Sequence, residues 1–580
     1  MSKADALTFG RDGKRRHRVV FGIVHQLREF IPSLYLVTGL MVATGILSGL
    51  AEMVGITLLI SLIFLIAQDA PTVDQPLAWL PRIISDFDVS LPKGVVIGIL
   101  AGAIVLRLLL GLANGLIGSF VAHHISERIR GKLYDKILDL AFQDIGRHDR
   151  GELITILSTE SYTVAGAHAS LVRLGVNIGT IVIFGIGMLG IAWPIALVGL
   201  AFGVVHNATM RLFATSYRRL GKALSGSLED LTQLSWTTLL TLKAVRSFGL
   251  EDKQRSLFAN LSHEVARKLR RSEQLGAITS ILSEALIFGV LLGIMLFSSF
   301  LAVDFPAALS ATVLLYRLQP HINELDQQIL HLHEMETPLQ RVFTLLAQPG
   351  ERHLNTRGFP SRGVERAIEF KNVTFRYPDT PRPAIESISF FIKSGEKTAL
   401  VGPSGAGKTT IMNLILRLAE PTSGSIVVDG TSLQNIQRSS WLQQLAIAGQ
   451  DVELMEGTVR ENILFYRDFP DEDVRWAAEL AGAAEFIDEL SYGYEEWLGD
   501  EAVKLSVGQR QRIGLARALV GRKNTLFLDE ATNALDEETE MRVLTRILDE
   551  YKEKTVVVIS HRQKVAALMT NRINLGGHPG

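Results

Sequence analysis

Long apolar stretches dominate roughly the first 325 residues of this 580-residue chain. A helix needs about 20 mostly apolar residues to cross a bilayer, and six stretches reach that length. They lie near residues 33–67, 93–120, 171–191, 194–213, 275–301 and 305–325. Runs such as SLYLVTGLMVATGILSGLAEMVGITLLISLIFLIA exceed what a helix buried inside a soluble protein needs. The pattern therefore predicts a polytopic α-helical membrane domain with six transmembrane helices, and not the alternative of buried helices in a large soluble protein.

The polar segments between these stretches indicate how the chain crosses the membrane. An even number of spans places both ends on one side, and the basic N-terminal segment, with Arg11, Lys14 and Arg15, indicates that this side is the cytoplasm. The polar segments 121–170 and 214–274 are helical in pattern and are predicted to be long intracellular loops. We expect an integral protein of a bacterial inner (plasma) membrane.

The composition changes after the last apolar stretch. Pro and Gly interrupt residues 327–365, which predicts a linker, and from residue 366 short apolar strands alternate with helices. The predicted domains are a cytoplasmic N-terminal segment (1–30), a transmembrane domain (31–326), the linker (327–365) and an α/β nucleotide-binding domain (366–580).

The totals exclude several classes of function. The chain carries 59 Lys and Arg against 60 Asp and Glu, which argues against a nucleic-acid binder with a broad basic surface. It has no cysteine, so disulfides, thiolate catalysis and cysteine-ligated metal sites are excluded. The apolar share of 47% and the mean hydropathy of +0.23 agree with a chain that lies partly in a membrane.

One segment of the α/β domain has the pattern of a phosphate-binding loop. KTALV is predicted to be a strand, GPSGAGKT the loop and TIMNLILRLAE the helix that follows. Glycines let the backbone wrap phosphate groups, and the helix N-terminus adds a partial positive charge. Lys408 is predicted to reach the β- and γ-phosphates, and Thr409 to hold Mg²⁺. The nucleotide-binding residues predicted in this loop are Gly402, Ser404, Gly405, Gly407, Lys408, Thr409 and Thr410.

Two later strands end in residues that suit phosphate chemistry. TLFLDE is an apolar strand that ends in adjacent carboxylates. Asp529 is predicted to support the Mg²⁺ shell and Glu530 to polarise the attacking water. TVVVIS forms another strand, and His561, just beyond it, is predicted to meet the γ-phosphate.

The order of these motifs resembles a known family. GPSGAGKT, AGQD, LSVGQ, TLFLDEATNALD and ISHR together resemble the nucleotide-binding domain of ATP-binding-cassette (ABC) transporters, which is an α/β P-loop NTPase domain. Six spans ahead of that domain resemble the exporter-type half-transporters. The resemblance implies ATP and Mg²⁺ as ligands, ATP hydrolysis coupled to transport, and two ATP molecules sandwiched between two nucleotide domains. It also implies partners, namely a second copy of the chain or a related half-transporter, the lipid bilayer and a transported substrate, without nucleic acid.

The resemblance also implies roles for individual residues. Tyr377 matches the aromatic residue that stacks on adenine, and Gln450 matches the glutamine that senses Mg²⁺, water and the membrane domain. LSVGQ matches the signature motif, in which Ser506, Gly508 and Gln509 face the ATP held by the partner chain. Asp536 falls in the adjoining loop at the dimer interface. RGELITILSTE and LTQLSWTTLLTL are candidates for the coupling helices that dock on the nucleotide domains.

The chain departs from the family pattern at two places. The usual signature is LSGGQ, so Val507 replaces the first glycine, while Gly508 retains the second. A side chain at 507 can point away from the phosphate, so we expect the site to stay active. After His561 the family usually continues with a strand hairpin and a helix, whereas here a helix, one weak strand and a Gly/Pro tail follow, which puts a regulatory role of that end in doubt.

Four charged residues fall inside the predicted spans: Glu52, Arg107, Glu284 and Arg317. Charges inside a bilayer are expensive unless they are paired or hydrated, so they are candidate functional residues. Glu52 and Arg107 lie at similar depths in spans 1 and 2, and Glu284 and Arg317 lie at similar depths in spans 5 and 6. Ion pairs within each helix hairpin are therefore favoured over four separate contacts with a substrate.

Together these features predict an ATP-driven exporter of an amphipathic substrate (peptide, lipid or drug-like) that works by alternating access. Two alternatives stay open at this point. One is a flippase for lipid or lipid-linked saccharide, and the other is a membrane ATPase that gates or regulates without moving cargo.

Overall fold

The structure is a computed structural model that describes residues 34–67, 72–73, 91–140, 142–145, 150–297, 305–348, 358–377, 380–403, 405–450, 452–499, 505–560 and 562–576. The chain divides into two compact units. The first comprises Met1–Asp135 with Gly151–Ala347, and the second comprises Lys136–Arg150 with Gln348–Gly580. Below they are called the membrane unit and the nucleotide unit.

Helices form almost all of the membrane unit. In chain order the helices up to residue 347 are α1 (Leu34–Ala67), α2 (Lys93–Leu138), α3 (Phe142–Ile145, in the nucleotide unit), α4 (Arg150–Thr155), α5 (Ser161–Leu240), α6 (Leu242–Ser247), α7 (Glu251–Phe297), α8 (Phe305–Glu334) and α9 (Glu336–Ala347). A π-helical turn, Ile156–Glu160, joins α4 to α5. Two strands of two residues each, β1 (Thr72–Val73) and β2 (Leu91–Pro92), pair between α1 and α2.

The predicted helical membrane domain is confirmed. Within the described ranges, five segments are long and apolar enough to cross a bilayer: Leu36–Ile60, Gly94–Leu138, Gly151–Gly190, Ala192–Met210 and Glu251–Ile294. They contain most of the first five predicted spans. The sixth predicted span, 305–325, lies in α8, a continuous helix that also carries Arg317, His321 and Asn323. These polar residues lower the hydropathy of α8 relative to the other spans.

A break inside α5 separates the third predicted span from the fourth. Ala192 has φ −153° and ψ 85°, which is not helical, and Pro194 follows two residues later. Proline removes a backbone donor and disfavours a helical conformation in the residue before it. The segment AWP (192–194), between the third and fourth predicted spans, is predicted from sequence to be a tight turn, and the break agrees with that prediction.

Small residues let the first span approach α5 closely. A Cβ atom added at Gly45 in α1 would lie 2.5 Å from Cγ2 of Val176 in α5, so a larger residue would force the helices apart. Close contact through small residues is a common way for helices to associate in a bilayer. By contrast, α2 exposes large apolar side chains such as Leu108, Leu112 and Leu116, as expected of a surface in contact with lipid.

The helical structure continues past the last predicted span. The segment 327–365, predicted as a linker, contains the end of α8, all of α9 and the start of the nucleotide unit. The boundaries predicted from composition at residues 326 and 365 stay predictions.

The nucleotide unit contains two main sheets. Its further strands are β3 (Ala367–Phe375), β4 (Ile385–Lys393), β5 (Lys397–Val401), β6 (Ser423–Val428), β7 (Thr431–Ser432), β8 (Leu445–Ala448), β9 (Gly457–Thr458), β10 (Trp497–Leu498), β11 (Thr525–Asp529), β12 (Thr555–Ile559) and β13 (Asn571–Asn574). One sheet has the order β13-β5-β12-β11-β8 and is parallel, and the other has the order β4-β3-β6-β7 and is antiparallel. Strands β9 and β10 form a separate antiparallel pair.

Besides α3, the nucleotide unit contains eight helices in its described residues. They are α10 (Lys408–Ile415), α11 (Arg438–Leu442), α12 (Val459–Leu464), α13 (Asp471–Leu480), α14 (Ala484–Asp488), α15 (Val507–Leu519), α16 (Glu537–Glu550) and α17 (Gln563–Ala567). Short 3₁₀ turns occur at Leu433–Asn435 and Gly493–Glu495. The predicted alternation of strands and helices is therefore confirmed, and it includes the strand–loop–helix order at β5 and α10.

Trp441 shows how the unit is tied together. Its side chain is fully buried, and its Nε1–H donates to the carbonyl oxygen of Ile415 at 2.8 Å. Ile415 is the last residue of α10, where backbone carbonyls lack helical partners. The indole therefore fixes the end of the helix that begins at the phosphate loop.

Candidate functional site

Three neighbouring parallel strands end at one edge of the sheet. Strand β12 lies between β5 and β11, with Ile559 opposite both Leu400 and Asp529. The phosphate loop follows β5, Glu530 follows β11, and His561 follows β12 by two residues. Open α/β sheets bind ligands at this carboxyl edge. His561 and Ser404 lie outside the described residues, so their predicted roles stay predictions.

The loop after β5 has the backbone geometry of a phosphate cradle. Gly405 and Gly407 have φ of +83° and +87°, in the left-handed region that favours glycine. A Cβ atom added at Gly407 would also lie 2.8 Å from the carbonyl oxygen of Ala384. The position therefore requires glycine both for its conformation and for the space around it.

Lys408 is a buried cation inside this loop. Its Nζ donates to the carbonyl oxygens of Gly402 and Pro403, both at 2.9 Å. Burial lowers the pKa of Lys408, while Glu530 and Asp529 oppose that shift. A buried ammonium group held by neutral carbonyls is suited to accept an anion. Thr409 is exposed and Thr410 is buried in the first turn of α10.

Burial shifts the pKa of Asp529, at the end of β11, in the opposite direction to that of Lys408. Burial, with a smaller contribution from the adjacent Glu530, raises the pKa of Asp529 to about 6, and Lys408 opposes the shift. The buried carboxylate of Asp529 and the adjacent carboxylate of Glu530 repel each other, so a cation bound there would stabilise both. These residues fit the Mg²⁺ site predicted from Thr409, Gln450 and Asp529.

Glu530 occupies an unusual backbone position. Its φ is +50°, and such a conformation is rare for a residue other than glycine or asparagine. The Glu530 N–H donates to the carbonyl oxygen of Ile559 at 3.1 Å, which ties the turn to β12. The side chain is partly exposed, and its Oε2 accepts a hydrogen bond from Nδ2 of Asn533 at 2.8 Å.

An ion pair next to this turn, with a buried carboxylate and a partly exposed guanidinium group, was not predicted from the sequence. Glu540 in α16 has a side chain that is 1% exposed and forms an ion pair with Arg562. Its other carboxylate oxygen accepts from Thr532 Oγ1 at 2.7 Å. One signal was available, because Glu540 lies on the apolar face of α16 at the i, i+3, i+4 and i+7 spacing that it shares with Val543, Leu544 and Ile547.

The signature segment begins a helix. Ser506 is the N-cap of α15, and its Oγ accepts from the Gln509 N–H at 3.2 Å, while the Ser506 N–H donates to Oε1 of Gln509 at 2.8 Å. This reciprocal capping box occupies the Gln509 side chain. Val507 is 57% exposed, so its side chain leaves the helix N-terminus accessible. That observation agrees with the expectation that Val507 does not block the site.

The signature helix packs on the loop that contains Asp536. A Cβ atom added at Gly508 would lie 3.2 Å from the carbonyl oxygen of Ala534. Ala534 N–H in turn donates to Oε1 of Gln511 at 2.9 Å. Asp536 is the N-cap of α16, and the hydrogen bond from the Thr539 N–H holds the pKa of its carboxyl below the usual range. The two segments therefore form one surface.

The two remaining residues implied by the resemblance are Tyr377 and Gln450. The Tyr377 hydroxyl is 3.3 Å from Oγ1 of Thr410, and its ring meets Phe375 edge to face at 4.9 Å between centroids. Gln450 is exposed, and its backbone carbonyl oxygen accepts from Nε2 of Gln511 at 3.3 Å. Their predicted contacts with adenine and Mg²⁺ stay predictions.

The membrane unit contains a charge cluster formed by Glu52, Arg107 and Arg317. Oε2 of Glu52 lies 3.0 Å from Nη2 of Arg107, and its Oε1 lies 2.6 Å from Nη2 of Arg317. The Glu52 side chain is 10% exposed, whereas those of Arg107 and Arg317 are 44% and 41% exposed. One carboxylate therefore pairs with two guanidinium groups, which leaves a net positive charge.

This arrangement agrees with the predicted Glu52–Arg107 pair and corrects the other one. Arg317 pairs with Glu52, and Glu284 lies on an exposed face of α7 without an ion pair to any residue in the described ranges. The prediction used depth along the hairpin, which does not determine the face of the helix on which a residue lies.

Comparisons with known proteins agree with both units. The ABC transporter transmembrane region model matches residues 38–317, and the ABC transporter model matches residues 385–533. An ATP-dependent lipid A-core flippase of Pseudomonas aeruginosa is 30% identical, with 74% of this chain and 72% of the relative covered. The flippase of the same name from Pseudomonas fluorescens is 32% identical over the same shares.

A solved structure shares the fold. The chain superposes on a bacterial Atm1-family ABC exporter with ATP bound, with a TM-score of 0.72 and 22% identity, covering 97% of this chain and 94% of that one. The membrane helices, the phosphate loop and the signature helix thus occur together in the order that the sequence predicts. The chain belongs to the ABC transporter family, as an exporter-type half-transporter that fuses one membrane domain to one ATP-binding domain and couples ATP hydrolysis to transport.

Proposed function

We propose that this half-transporter flips or exports an amphipathic lipid that carries an anionic headgroup. The observation that carries the proposal is the charge cluster, in which Glu52 neutralises only one of the two guanidinium groups of Arg107 and Arg317. The names of the flippase relatives, at about 30% identity, support a lipid substrate. This proposal narrows the amphipathic substrate expected from sequence to its lipid alternative.

The exposure of the two arginines favours a headgroup with phosphate or carboxylate groups. A guanidinium group presents five N–H donors in a planar fork that matches such anions, and Arg107 and Arg317 each retain donors beyond their bond to Glu52. An uncompensated charge at membrane depth is costly. A bound anion would remove that cost, whereas a neutral cargo would not.

The nucleotide unit supplies the groups that ATP hydrolysis requires. Lys408 would contact the phosphates from within its loop, and Thr409, Asp529 and Gln450 would hold a Mg²⁺ ion that supplies positive charge to the phosphate oxygens. Glu530 would accept a proton from the attacking water, and His561 would contact the γ-phosphate. Tyr377 would stack on the adenine.

We infer that two copies, or this chain and a related half-transporter, close on two ATP molecules. Ser506 and Gly508 at the N-terminus of α15 would contact the partner's ATP, and Asp536 would line the same interface. The accessible N-terminus beside Val507 supports this role. Alternating access in a bacterial inner membrane, with the nucleotide unit in the cytoplasm where ATP is available, completes the proposal.

The transport proposal can be tested in proteoliposomes of a zwitterionic lipid. Two headgroup-labelled tracers are compared, one with a phosphate-bearing headgroup of net negative charge and one with a zwitterionic headgroup. Their accessibility to an external quencher is followed with and without ATP. We expect ATP to change the accessible fraction of the anionic tracer several-fold faster than that of the zwitterionic tracer. ATP hydrolysis without movement of either tracer would indicate a gating ATPase, and equal movement of both would contradict recognition of headgroup charge.

Glu530→Gln should abolish steady-state hydrolysis while ATP binding persists. General-base catalysis contributes about 10²- to 10⁴-fold, and glutamine keeps the shape of the side chain but cannot take the proton. Turnover and binding of a fluorescent ATP analogue are measured on the same preparation. Glu538→Gln, at an exposed position in α16, is the matched control and should hydrolyse ATP like the wild type. Near-normal turnover in Glu530→Gln would remove the residue from its role.

Gly508→Asp should prevent dimer closure, because a carboxylate would face the partner's γ-phosphate in a poorly solvated interface. Since a Cβ atom here approaches Ala534 at 3.2 Å, Gly508→Ala separates the steric effect from the charge effect. We expect hydrolysis to fall at least about 100-fold in Gly508→Asp and only a few-fold in Gly508→Ala. ATP-dependent cross-linking between nucleotide units reports closure, and normal closure in Gly508→Asp would contradict the contact.

A further inference from the structure

The turn from Glu530 to Asn533 fixes the proposed general base at both its backbone and its side chain. The Asn533 N–H donates to the carbonyl oxygen of Glu530 at 3.1 Å, and the Asn533 Nδ2–H donates to Oε2 of the same residue at 2.8 Å. One asparagine thus donates to both the backbone carbonyl and the carboxylate of Glu530. The Asn533 side chain is only partly buried, so the protein core does not require it.

Asn533 is itself held by the ion pair of Glu540 and Arg562. Nη2 of Arg562 donates to the Asn533 carbonyl oxygen at 3.0 Å, and Nη1 of the same arginine pairs with Glu540. Arg562 also anchors its own loop, because its N–H donates to Oγ of Ser560 at 3.1 Å. The order of contacts runs from the buried carboxylate of Glu540 through Arg562 to Asn533, and from Asn533 to Glu530.

At the buried end of this series, both oxygens of the Glu540 carboxylate have partners. Thr532 is 5% exposed, and its hydroxyl donates to Glu540 at 2.7 Å, so both carboxylate oxygens of Glu540 are occupied. Removing one partner from such a pair leaves the other uncompensated. These contacts hold Arg562 where its Nη2 reaches the Asn533 carbonyl oxygen at 3.0 Å.

We propose that Asn533 is a positioning residue for the carboxylate of Glu530 and that the Glu540–Arg562 pair acts on hydrolysis through Asn533. The amide donates to Oε2 and so limits the rotation of the carboxylate, which would hold the proposed base in one orientation toward the attacking water. The proposal rests on the role of Glu530 in the proposed function. A freely rotating carboxylate would present the correct lone pair for only part of the time, which lowers the rate of the chemical step and not the affinity for ATP.

Four variants of the full-length transporter in detergent test this proposal. We expect Asn533→Ala to lower the kcat for ATP hydrolysis about tenfold, with the KM for ATP and the thermal midpoint unchanged, because a hydrogen bond to a charged acceptor is lost. Asn533→Asp keeps the shape but has no donor and should be at least as slow. Asn571→Ala removes a comparable contact, from Nδ2 to Oε2 of Glu396 at 3.4 Å, and should have normal kcat. Glu540→Gln should lower kcat by several-fold.

The double variant Asn533→Ala/Glu540→Gln decides whether Glu540 acts through Asn533. We expect its kcat to equal that of Asn533→Ala alone, because the path to Glu530 is already broken. Independent multiplication of the two losses would overturn that part of the proposal.

Other outcomes separate this proposal from the proposed function. Normal or raised kcat in Asn533→Ala and Asn533→Asp, beside an inactive Glu530→Gln, would overturn the positioning role alone. A raised KM together with a lowered thermal midpoint in both would show a purely structural role and overturn it as well. Normal turnover in Glu530→Gln would instead refute the assignment of the base in the proposed function.

Discussion

The pairing of one carboxylate with two guanidinium groups is the central interaction of the membrane unit. Glu52 contacts Arg107 at 3.0 Å and Arg317 at 2.6 Å, so it connects helices α1, α2 and α8. In a medium of low dielectric these attractions are strong, and the leftover charge is correspondingly costly. The cluster therefore both organises the helices and creates a position that an anion can complete.

The nucleotide unit also holds charged groups that a ligand of opposite charge would stabilise, and the expected ligand is a nucleotide. Lys408 is buried among carbonyl oxygens, and burial beside Glu530 raises the pKa of Asp529 to about 6. Each group is held in a form that a ligand would stabilise, an anion at Lys408 and a cation at Asp529. The left-handed backbone of Glu530 and the contact from Asn533 would orient the proposed general base before ATP binds.

Much of this arrangement follows from sequence because local patterns encode it. Apolar length predicts the spans, the AWP sequence predicts the break at Ala192, and the glycine spacing predicts the phosphate loop between β5 and α10. The Glu52–Arg107 pair was predictable because both residues lie on neighbouring spans at similar depth.

Contacts that depend on helix rotation or on distant residues were not predictable. The partner of Arg317 was predicted wrongly because depth along a span leaves its face undetermined. Glu540 and Arg562 lie 22 residues apart, and only the tertiary fold brings α16 and the segment after β12 together. A charged residue on the apolar face of an amphipathic helix was the only local sign of that pair.

The most direct test of the account measures how anionic lipid stimulates ATP hydrolysis when the charge cluster is neutral. Removing both arginines would strand Glu52, so the variant is Glu52→Gln/Arg107→Gln/Arg317→Gln, and Arg255→Gln, exposed near the start of α7, is the control. We expect a phosphate-bearing lipid of net negative charge to raise hydrolysis over the basal rate in the control. In the triple variant we expect this ratio to fall to one, or the lipid concentration required to rise at least about tenfold. Equal stimulation of both proteins at equal lipid concentration would contradict recognition of anionic lipid by the charge cluster.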